Sequence, residues 1–316
     1  MSSSNSSARV LDGAALAGEI RDLLRPRIEA FRKTAGRPPR LGLLLVGTDP
    51  GSEIYVRNKI KDGQQLGLET DLRRLPDDAS FAEALEIVRS FNESETYDGV
   101  LVQSPLPSGM GEDAPRLVFD AIDPSKDVDG LNPVNVGRLV QKRPSLAPCT
   151  PSGIIQLLDR SNIPIAGQRV VIIGRSDIVG KPMAVLLLHR NATVTICHSH
   201  TRNLPSISAT ADILVAAIGQ AAFVTPEFVK PGATVIDVGM NSLTEQRMVE
   251  RLFGMGSKKM VAFETHGSVL CGDVHPAVIS SAGALTLVPG GVGPLTRAML
   301  LVNTVRAAEK GLDSRR

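Results

Sequence analysis

Tryptophan is absent from this chain of 316 residues, and aromatic residues account for only 3% of it. Proteins that recognise single-stranded nucleic acid usually stack bases on aromatic side chains, so the scarcity argues against that class of protein. The 35 basic and 33 acidic residues nearly cancel and form no dense basic stripe, which argues against binding to a phosphate backbone. We therefore expect no nucleic-acid partner.

Cysteine is also scarce, with three residues at wide spacings, Cys149, Cys197 and Cys271. An odd number at these spacings neither builds a disulfide framework nor matches a C-x-x-C zinc pattern, and it fits a reducing compartment. The pair His198 and His200 has no cysteine or acidic partner at metal-ligand spacing. The sequence therefore predicts no metal site.

Long apolar runs are missing as well. No run approaches the roughly 18 to 20 residues that a membrane-spanning helix needs, so we expect no membrane association. Residues 1–9 are serine-rich without an apolar signal core and are expected to form a disordered tail. We favour a cytoplasmic location. A mitochondrial location stays open, because the serine content and single arginine of this segment partly match an organellar presequence.

Strand-like apolar runs alternate with helical patterns in both halves of the chain. In the first half, predicted strands at 41–47 and 99–103 flank a helical pattern at 81–91. In the second half, predicted strands lie at 169–174, 193–197, 213–216 and 234–238. Such alternation predicts parallel sheets covered by helices. Because the length allows roughly two ordinary domains, we predict an α/β fold with two doubly wound domains.

Three further segments mark the organisation of the chain. Proline and glycine crowd residues 123–153, which predicts a domain crossing without long elements. Residues 241–272 contain a charged stretch and are interpreted as an insertion or an ornamented hairpin. The glycine loop 289–294 precedes residues 295–310, whose helix formers and apolar stripe predict a helix.

Tyr55 and Lys59 lie four residues apart in a predicted helix that follows a strand and a turn. At this spacing the two side chains share one face of the helix. Burial in a cleft would favour the neutral form of the lysine, which is the form that acid–base chemistry requires. Taken alone, the pair better fits a surface lysine beside a half-buried tyrosine, because most lysines are solvated.

A glycine-rich turn with Gly174 and Gly180 follows the predicted strand at 169–174 and opens a helix. This geometry offers backbone amides to a pyrophosphate, although it departs from G-x-G-x-x-G and also fits a plain structural turn. No acidic residue stands about 20 residues later, where an NAD-binding protein would bind the ribose hydroxyls. Ser199 and Arg175 can instead bind a 2′-phosphate, so NADP is favoured over NAD.

Several motifs occur together along the chain. They are V-G-T-D-P-G-S at 46–52, Y-V-R-N-K at 55–59, G-V-L-V-Q-S-P-L-P at 99–107, K-D-V-D-G at 126–130, P-C-T-P-S-G at 148–153, G-R-S-D-I-V-G at 174–180 and P-G-G-V-G-P at 289–294. In order and spacing they resemble the bifunctional methylenetetrahydrofolate dehydrogenase/methenyltetrahydrofolate cyclohydrolase family, the FolD-like enzymes of one-carbon metabolism. The resemblance covers nearly the whole chain.

The resemblance implies a role for each matching residue. Lys59 would carry the cyclohydrolase chemistry, Tyr55 would position the folate and Gln103 would support the lysine. Asp129, the second aspartate of K-D-V-D-G, would bind the pterin. The other substrate-binding residues would be Val102, Ser104, Pro289, Gly290, Gly291, Val292 and Gly293. The cofactor-binding residues would be Gly174, Arg175, Ser176, Ser199, Gly219 and Met240.

The resemblance also implies a reaction and an architecture. The enzyme would oxidise 5,10-methylenetetrahydrofolate with NADP and hydrolyse the methenyl product to 10-formyltetrahydrofolate, within one-carbon metabolism and purine biosynthesis. Residues 10–150 with 288–316 would form a folate-binding catalytic domain. Residues 151–287 would form a Rossmann-like NADP-binding domain, with the active-site cleft between the two. A homodimer is likewise implied.

Three other interpretations stay open. A dehydrogenase-only relative would lack the chemistry assigned to Lys59. A non-catalytic dinucleotide sensor could keep the fold without turnover, although the intact Tyr55, Lys59, Gln103 and Asp129 argue against it. A dehydrogenase acting on a hydroxy acid or an amino acid would need a histidine or lysine base beside an arginine clamp, and no such group of comparable quality is present.

Overall fold

The protein is described by a computed structural model that covers residues 8–314. The chain divides into two compact units, which we name after their sheets. The six-stranded unit joins the segment that ends at Leu16 to Thr150–Leu295. The three-stranded unit joins Ala17–Cys149 to the segment that begins at Thr296. Most of the predicted tail, residues 1–7, lies outside the described residues, whereas Arg9 belongs to a strand.

Strands and helices alternate along most of the described residues. The strands are β1 (Arg9–Leu11), β2 (Arg40–Val46), β3 (Glu69–Leu75), β4 (Gly99–Val102), β5 (Arg169–Ile173), β6 (Thr193–Cys197), β7 (Ile213–Ala216), β8 (Thr234–Asp237), β9 (Asn241–Leu243), β10 (Val269–Cys271) and β11 (Ala284–Thr286). The α-helices are α1 (Gly13–Ala35), α2 (Pro50–Leu66), α3 (Phe81–Glu93), α4 (Ala114–Ala121), α5 (Pro133–Val140), α6 (Cys149–Arg160), α7 (Gly180–His189), α8 (Leu204–Ser208), α9 (Gln246–Phe253), α10 (Lys258–His266) and α11 (Val292–Asp313). Short 3-10 helices lie at Ser108–Met110, Pro226–Phe228 and Pro276–Ser280.

The six-stranded unit contains a parallel sheet in the order β1-β11-β8-β7-β5-β6. Its central strands are buried along their length, as expected for a parallel sheet that is covered on both faces. The chain runs from β5 to β6 at the edge and then returns to β7 on the other side of β5. In such sheets, ligands bind beyond the carboxyl ends of the strands where this reversal occurs.

The three-stranded unit contains a parallel sheet in the order β3-β2-β4. The central strand β2 is apolar and almost completely buried. Helix α2 follows it after a tight turn, and its start is set by Asp49, whose side chain accepts a hydrogen bond from Ser52 N at 2.7 Å. Pro50 at the first helical position and Gly67 in the left-handed conformation after the last turn complete these boundaries.

Residues 241–272 form the predicted ornamented hairpin. Strands β9 and β10 pair antiparallel, and the helices α9 and α10 lie between them in the sequence. The segment has its own small apolar core, made of Leu243, Val249, Leu252, Met260, Val269 and Cys271. We call residues 241–272 the inserted hairpin.

Proline interrupts the helices less than the sequence suggests, because proline is tolerated in the first turn of a helix, where its missing N–H is not needed. The segment 123–153 contains α5, which begins at Pro133, and the start of α6. The predicted glycine loop is shorter than expected, since α11 already begins at Val292 and includes Pro294 in its first turn.

Two glycines of α1 provide a matched test of the packing. A Cβ at Gly13 would overlap the carbonyl oxygen of Gly291, whereas a Cβ at Gly18 would meet no atom within 4 Å. We expect Gly13→Ala to lower the free energy of unfolding by about 2 kcal/mol or more. Gly18→Ala should raise it by about 0.5–1 kcal/mol, because alanine is the better helix former. Chemical denaturation measures both, and equal effects of the two substitutions would contradict the close approach at Gly13.

Candidate active site

The amine of Lys59 is buried and is hydrogen-bonded to a neutral amide. Lys59 lies on α2, and its Nζ donates to Gln103 Oε1 at 3.0 Å. Gln103 directly follows β4, and its Nε2 donates to Ser104 O at 2.7 Å, which turns the amide oxygen towards the lysine. Because β2 and β4 are parallel neighbours, the start of α2 and the end of β4 meet at the same edge of the sheet.

The surroundings of Lys59 favour its neutral form. Burial is the main cause that lowers the pKa of Lys59 from its ordinary value of 10.5. The negative charge of Asp129 opposes this effect, and the positive charge of Arg297 adds to it. The site therefore combines an amine of lowered pKa with an acceptor that carries no charge, which is an arrangement suited to taking a proton from water.

Arg297 is held by an ion-pair cluster that the sequence analysis missed. Its Nε donates to Asp62 Oδ2 at 2.7 Å, and Arg21 Nη1 donates to Asp62 Oδ1 at 3.2 Å. Asp62 lies on α2 three residues after Lys59, which is one turn further along the same face. Two guanidinium groups share one mostly buried carboxylate, so the cluster carries a surplus positive charge next to the lysine.

Tyr55 lies one turn before Lys59 on α2, as predicted from their spacing. Its ring is half-buried, and burial raises the pKa of its hydroxyl above 10.0, while Arg297 opposes the shift. The phenol is therefore neutral at physiological pH. An amphipathic ring in this position can offer its face to a flat ligand.

The two aspartates of K-D-V-D-G have different environments. Asp127 is buried and accepts hydrogen bonds from Gly130 N, Asn132 N and Asn135 Nδ2 at 2.8–3.0 Å. These bonds shape the turn, so Asp127 has a structural role. Asp129 is partly exposed, and its charge acts on Lys59. The role of Asp129 in ligand binding stays a prediction, and its carboxylate also interacts with the thiol of Cys149.

The segment around Asp129 is anchored from α11. Asn303 Nδ2 donates to Val128 O at 2.8 Å and to Ala147 O at 2.9 Å. Cys149 is buried, its thiol donates to Val128 O at 3.3 Å, and burial is the main cause that raises its pKa well above 9.0. The thiol is therefore protonated and serves as a packing residue beside the lysine.

A cavity of about 510 Å³ lies at the ends of β5, β6 and β7, where the strand order reverses. Four of the predicted cofactor residues line it, Gly174, Arg175, Ser176 and Ser199. No acidic residue is among the described residues that line the cavity. An anionic ligand is therefore not repelled there, and Arg175 can bind it through a charge-assisted hydrogen bond.

The glycines of this turn are required by close backbone approaches. A Cβ at Gly174 would overlap Ala217 O, and a Cβ at Gly180 would overlap Gly174 O. Ser176 Oγ accepts hydrogen bonds from Val179 N and Gly180 N at 3.2 and 3.4 Å, so it organises the start of α7. This tight turn at a helix N-terminus fits the phosphates of a dinucleotide.

Sequence reasoning also missed Asp273. It is fully buried, and its carboxylate accepts hydrogen bonds from the backbone N–H groups of Ile218, Gly219 and Gln220 at 2.7–3.0 Å. These bonds hold the loop after β7, which contains the predicted cofactor residue Gly219. Met240 does not line the cavity; it lies between β8 and β9 and is 39% exposed.

The remaining predicted substrate residues are divided between the units. Val102 is the buried last residue of β4, and Ser104 follows Gln103 in the three-stranded unit. Pro289–Gly293 belong to the six-stranded unit, where Gly291 N donates to Leu287 O at 2.8 Å and Ala14 N donates to Gly290 O at 2.9 Å. We call residues 287–293, which include the first two residues of α11, the glycine loop.

Between residues 8 and 314, no group of three or more histidine, cysteine, aspartate or glutamate side chains is arranged to hold a metal ion. In the same part of the chain, every helix is too short or too polar to cross a membrane.

The fold and the site define an α/β protein with a dinucleotide-type cavity and a separate lysine centre for acid–base chemistry. Residues 11–129 match the family described as "Tetrahydrofolate dehydrogenase/cyclohydrolase, catalytic domain". Residues 148–312 match "Tetrahydrofolate dehydrogenase/cyclohydrolase, NAD(P)-binding domain". The chain belongs to the tetrahydrofolate dehydrogenase/cyclohydrolase family.

Individual relatives agree with this assignment. The chain is 54% identical over 303 residues to the "Bifunctional protein FolD" of Solibacter usitatus, which covers 96% of this chain and 98% of the relative. A solved structure of the methylenetetrahydrofolate dehydrogenase-cyclohydrolase of Trypanosoma brucei, complexed with NADP and an inhibitor, has a TM-score of 0.86 at 35% identity. It covers 98% of this chain and 100% of that chain. The bifunctional FolD enzyme of Campylobacter jejuni has a TM-score of 0.85 at 35% identity, with coverage of 96% and 99%.

The ion-pair cluster predicts the pH dependence of methenyltetrahydrofolate hydrolysis. Because Arg297 lowers the pKa of Lys59, Arg297→Gln should raise that pKa. The neutral amine then forms only at higher pH, so the rising limb of the pH–rate profile should move upwards. Arg27→Gln is the matched control, since Arg27 pairs with Glu309 of α11 in a similar, partly buried ion pair. A profile for Arg297→Gln that coincides with the control would contradict the role of Arg297.

Proposed function

We propose that this protein oxidises 5,10-methylenetetrahydrofolate to 5,10-methenyltetrahydrofolate with NADP and then hydrolyses the product to 10-formyltetrahydrofolate. The observation that carries the proposal is the buried hydrogen bond of Lys59 Nζ to Gln103 Oε1, in a chain that belongs to this family. A dehydrogenase alone needs no buried amine of lowered pKa. The Lys59–Gln103 pair therefore favours the bifunctional enzyme over the dehydrogenase-only and sensor alternatives.

Lys59 acts as the base in the hydrolytic step. A water molecule forms a bond to the methenyl carbon, and its proton passes to the neutral Nζ of Lys59. The bond between this carbon and N5 then breaks as Lys59 returns the proton to N5. The hydroxyl that came from water releases its remaining proton to solvent and becomes the carbonyl of the formyl group on N10. Gln103 holds the amine by accepting a hydrogen bond from it without adding charge, so the lone pair of the amine can take the proton of the attacking water.

Substrate binding uses the polar and flat groups around the lysine. The carboxylate of Asp129 accepts hydrogen bonds from the pterin ring nitrogen and amino group, while the ring of Tyr55 packs on the folate ring system. In the glycine loop, the absence of side chains at Gly290, Gly291 and Gly293 allows a ligand to approach the backbone. Val102 and Ser104, on either side of Gln103, complete the set of proposed substrate-binding residues.

NADP fits the cavity at the ends of β5, β6 and β7. When bound there, it supplies the acceptor for a hydride from the methylene carbon. The backbone at Gly174 and Ser176 would hold the pyrophosphate, and Arg175 and Ser199 would hold the 2′-phosphate. The protein needs no acid or base for this oxidation, so its contribution is to orient the substrate.

Replacing Lys59 should separate the two activities. In Lys59→Met, we expect the enzymatic hydrolysis rate to fall by about 100-fold or more, because the base is lost. Lys61→Met is the matched control, since Lys61 is an exposed lysine on the same helix. The assay supplies 5,10-methylenetetrahydrofolate with NADP⁺ or NAD⁺ and measures reduced nicotinamide, the methenyl product and the 10-formyl product separately.

Each outcome of this assay discriminates between the alternatives. The bifunctional enzyme is supported if the wild type reduces NADP⁺ and forms the 10-formyl product, and if Lys59→Met, but not the control, loses the 10-formyl product. Methenyl product that accumulates in the wild type, beyond spontaneous hydrolysis, indicates a dehydrogenase alone. No reduction with either cofactor, in a protein that still binds folate, indicates a sensor. Reduction with a hydroxy acid or an amino acid would indicate a different dehydrogenase.

Cofactor selectivity should depend on Arg175. Arg175→Gln removes the guanidinium from the cavity, and we expect the KM for NADP⁺ to rise about tenfold or more, as for the loss of a charge-assisted hydrogen bond. The KM for NAD⁺, which lacks the 2′-phosphate, should change much less. Arg202→Gln is the control, because Arg202 is exposed and does not line the cavity. Equal changes of the KM for both cofactors would show that Arg175 does not bind the 2′-phosphate.

We also place the enzyme in the cytoplasm as a homodimer. The bacterial relatives support the cytoplasmic setting, and the family resemblance implies the homodimer. The 10-formyl product would supply one-carbon units to pathways such as purine biosynthesis. Sedimentation equilibrium of the purified protein measures the oligomeric state, and a monomer at micromolar concentration would refute the dimer.

A further inference from the structure

The inserted hairpin has no role in the site described above. Its helices α9 and α10 bury their own small core, and they provide none of the predicted catalytic or cofactor-binding residues. One of its side chains nevertheless reaches the glycine loop, which lies outside this segment. This side chain is Lys259, the second residue of α10.

Lys259 connects the inserted hairpin to the glycine loop. Its Nζ donates to Val288 O at 3.0 Å and also to Leu270 O, on β10 of the inserted hairpin. The same ammonium lies 5.6 Å from the centre of the Phe253 ring on α9, within the range of a cation–π contact. A single side chain therefore links both helices and one strand of the inserted hairpin to the residue that precedes Pro289.

The surroundings of Lys259 are unusual for a surface lysine. The side chain is partly buried, and burial is the main cause that lowers its pKa, with Cys271 opposing the shift. Withdrawing an ammonium from water is unfavourable unless it gains acceptors, and here the two backbone carbonyls provide them. The adjacent Lys258 is exposed to solvent. Lys259, in contrast to the adjacent Lys258, therefore has a side chain that is held in one position.

The glycine loop needs such a constraint. Gly290, Gly291 and Gly293 give its backbone more freedom than other residues would allow, and Gly290 has a positive φ of 109°. The hydrogen bonds of Gly291 N to Leu287 O and of Ala14 N to Gly290 O hold the middle of the loop. Lys259 holds its beginning, at Val288.

We propose that Lys259 is a positioning residue that holds the glycine loop in its folate-binding conformation, so that the inserted hairpin contributes to folate affinity. This inference rests on the proposed function, in which the loop contacts the folate. A loop that is ordered before binding costs less conformational entropy when the ligand arrives. The loss of Lys259 should therefore weaken folate binding more than cofactor binding, because the cofactor cavity is lined by other residues.

Steady-state kinetics test the functional part of this proposal. In Lys259→Met, which keeps the aliphatic stem, the KM for 5,10-methylenetetrahydrofolate should rise about three- to tenfold, as for the loss of one charged hydrogen bond. The KM for NADP⁺ should stay within about twofold, since the cavity is unchanged. Lys259→Arg should restore much of the folate affinity, because a guanidinium can donate to both carbonyls. Lys258→Met is the matched control and should behave as the wild type.

Hydrogen exchange tests the structural part independently of activity. Backbone amides of the glycine loop should exchange faster in Lys259→Met than in Lys258→Met, while those of β5 and β7 should be unchanged. Unchanged exchange in the loop, or a folate KM equal to that of the control, would overturn the proposal. So would equal increases of both KM values with a general loss of protection. If the wild type does not turn over the folate, the proposed function fails, and the exchange data still decide whether Lys259 holds the loop.

Discussion

The hydrogen bond between the Lys59 amine and the Gln103 amide is the interaction on which the rest of the site depends. In a buried position, a carboxylate partner would stabilise the ammonium and keep the proton on the lysine. The amide oxygen of Gln103 instead holds the amine by a hydrogen bond and adds no net charge. Burial can then lower the pKa of Lys59, with Asp129 and Arg297 acting in opposite directions as secondary influences. The central constraint is therefore a buried amine whose pKa is lowered and whose hydrogen-bond partner carries no charge.

Other buried carboxylates of the protein accept hydrogen bonds from backbone N–H groups. Asp127 shapes the turn before Asp129, and Asp273 holds the loop that contains Gly219. Asp237 accepts hydrogen bonds from three backbone N–H groups, and its burial raises its pKa to about 7. Each of these buried groups is satisfied by hydrogen bonds, as buried polar groups require. Asp129 and Lys59 stay the residues predicted to act on a ligand in the three-stranded unit.

Sequence reasoning succeeded where function depends on local spacing. The four-residue interval between Tyr55 and Lys59 and the turn from Gly174 to Gly180 are set by helix periodicity and by backbone approach within a few residues. It failed where partners are remote in sequence: Asp62 with Arg297, Asp273 with the loop after β7, and Lys259 with Val288. No periodicity or motif connects such pairs, since only the folded chain brings them together. Helix starts at Pro133 and Val292 were missed because proline was interpreted as an interruption.

A direct titration of Lys59 tests the central claim. The protein is labelled with ¹³C at the lysine side chains, and the Cε resonance of Lys59 is assigned by its absence from the spectrum of Lys59→Met. Its chemical shift is then followed with pH while the protein remains folded. The account predicts a midpoint below the ordinary lysine value of 10.5, in the absence of any ligand. A midpoint at or above that value would contradict it, because the amine would then be a buried ammonium and unable to act as the base.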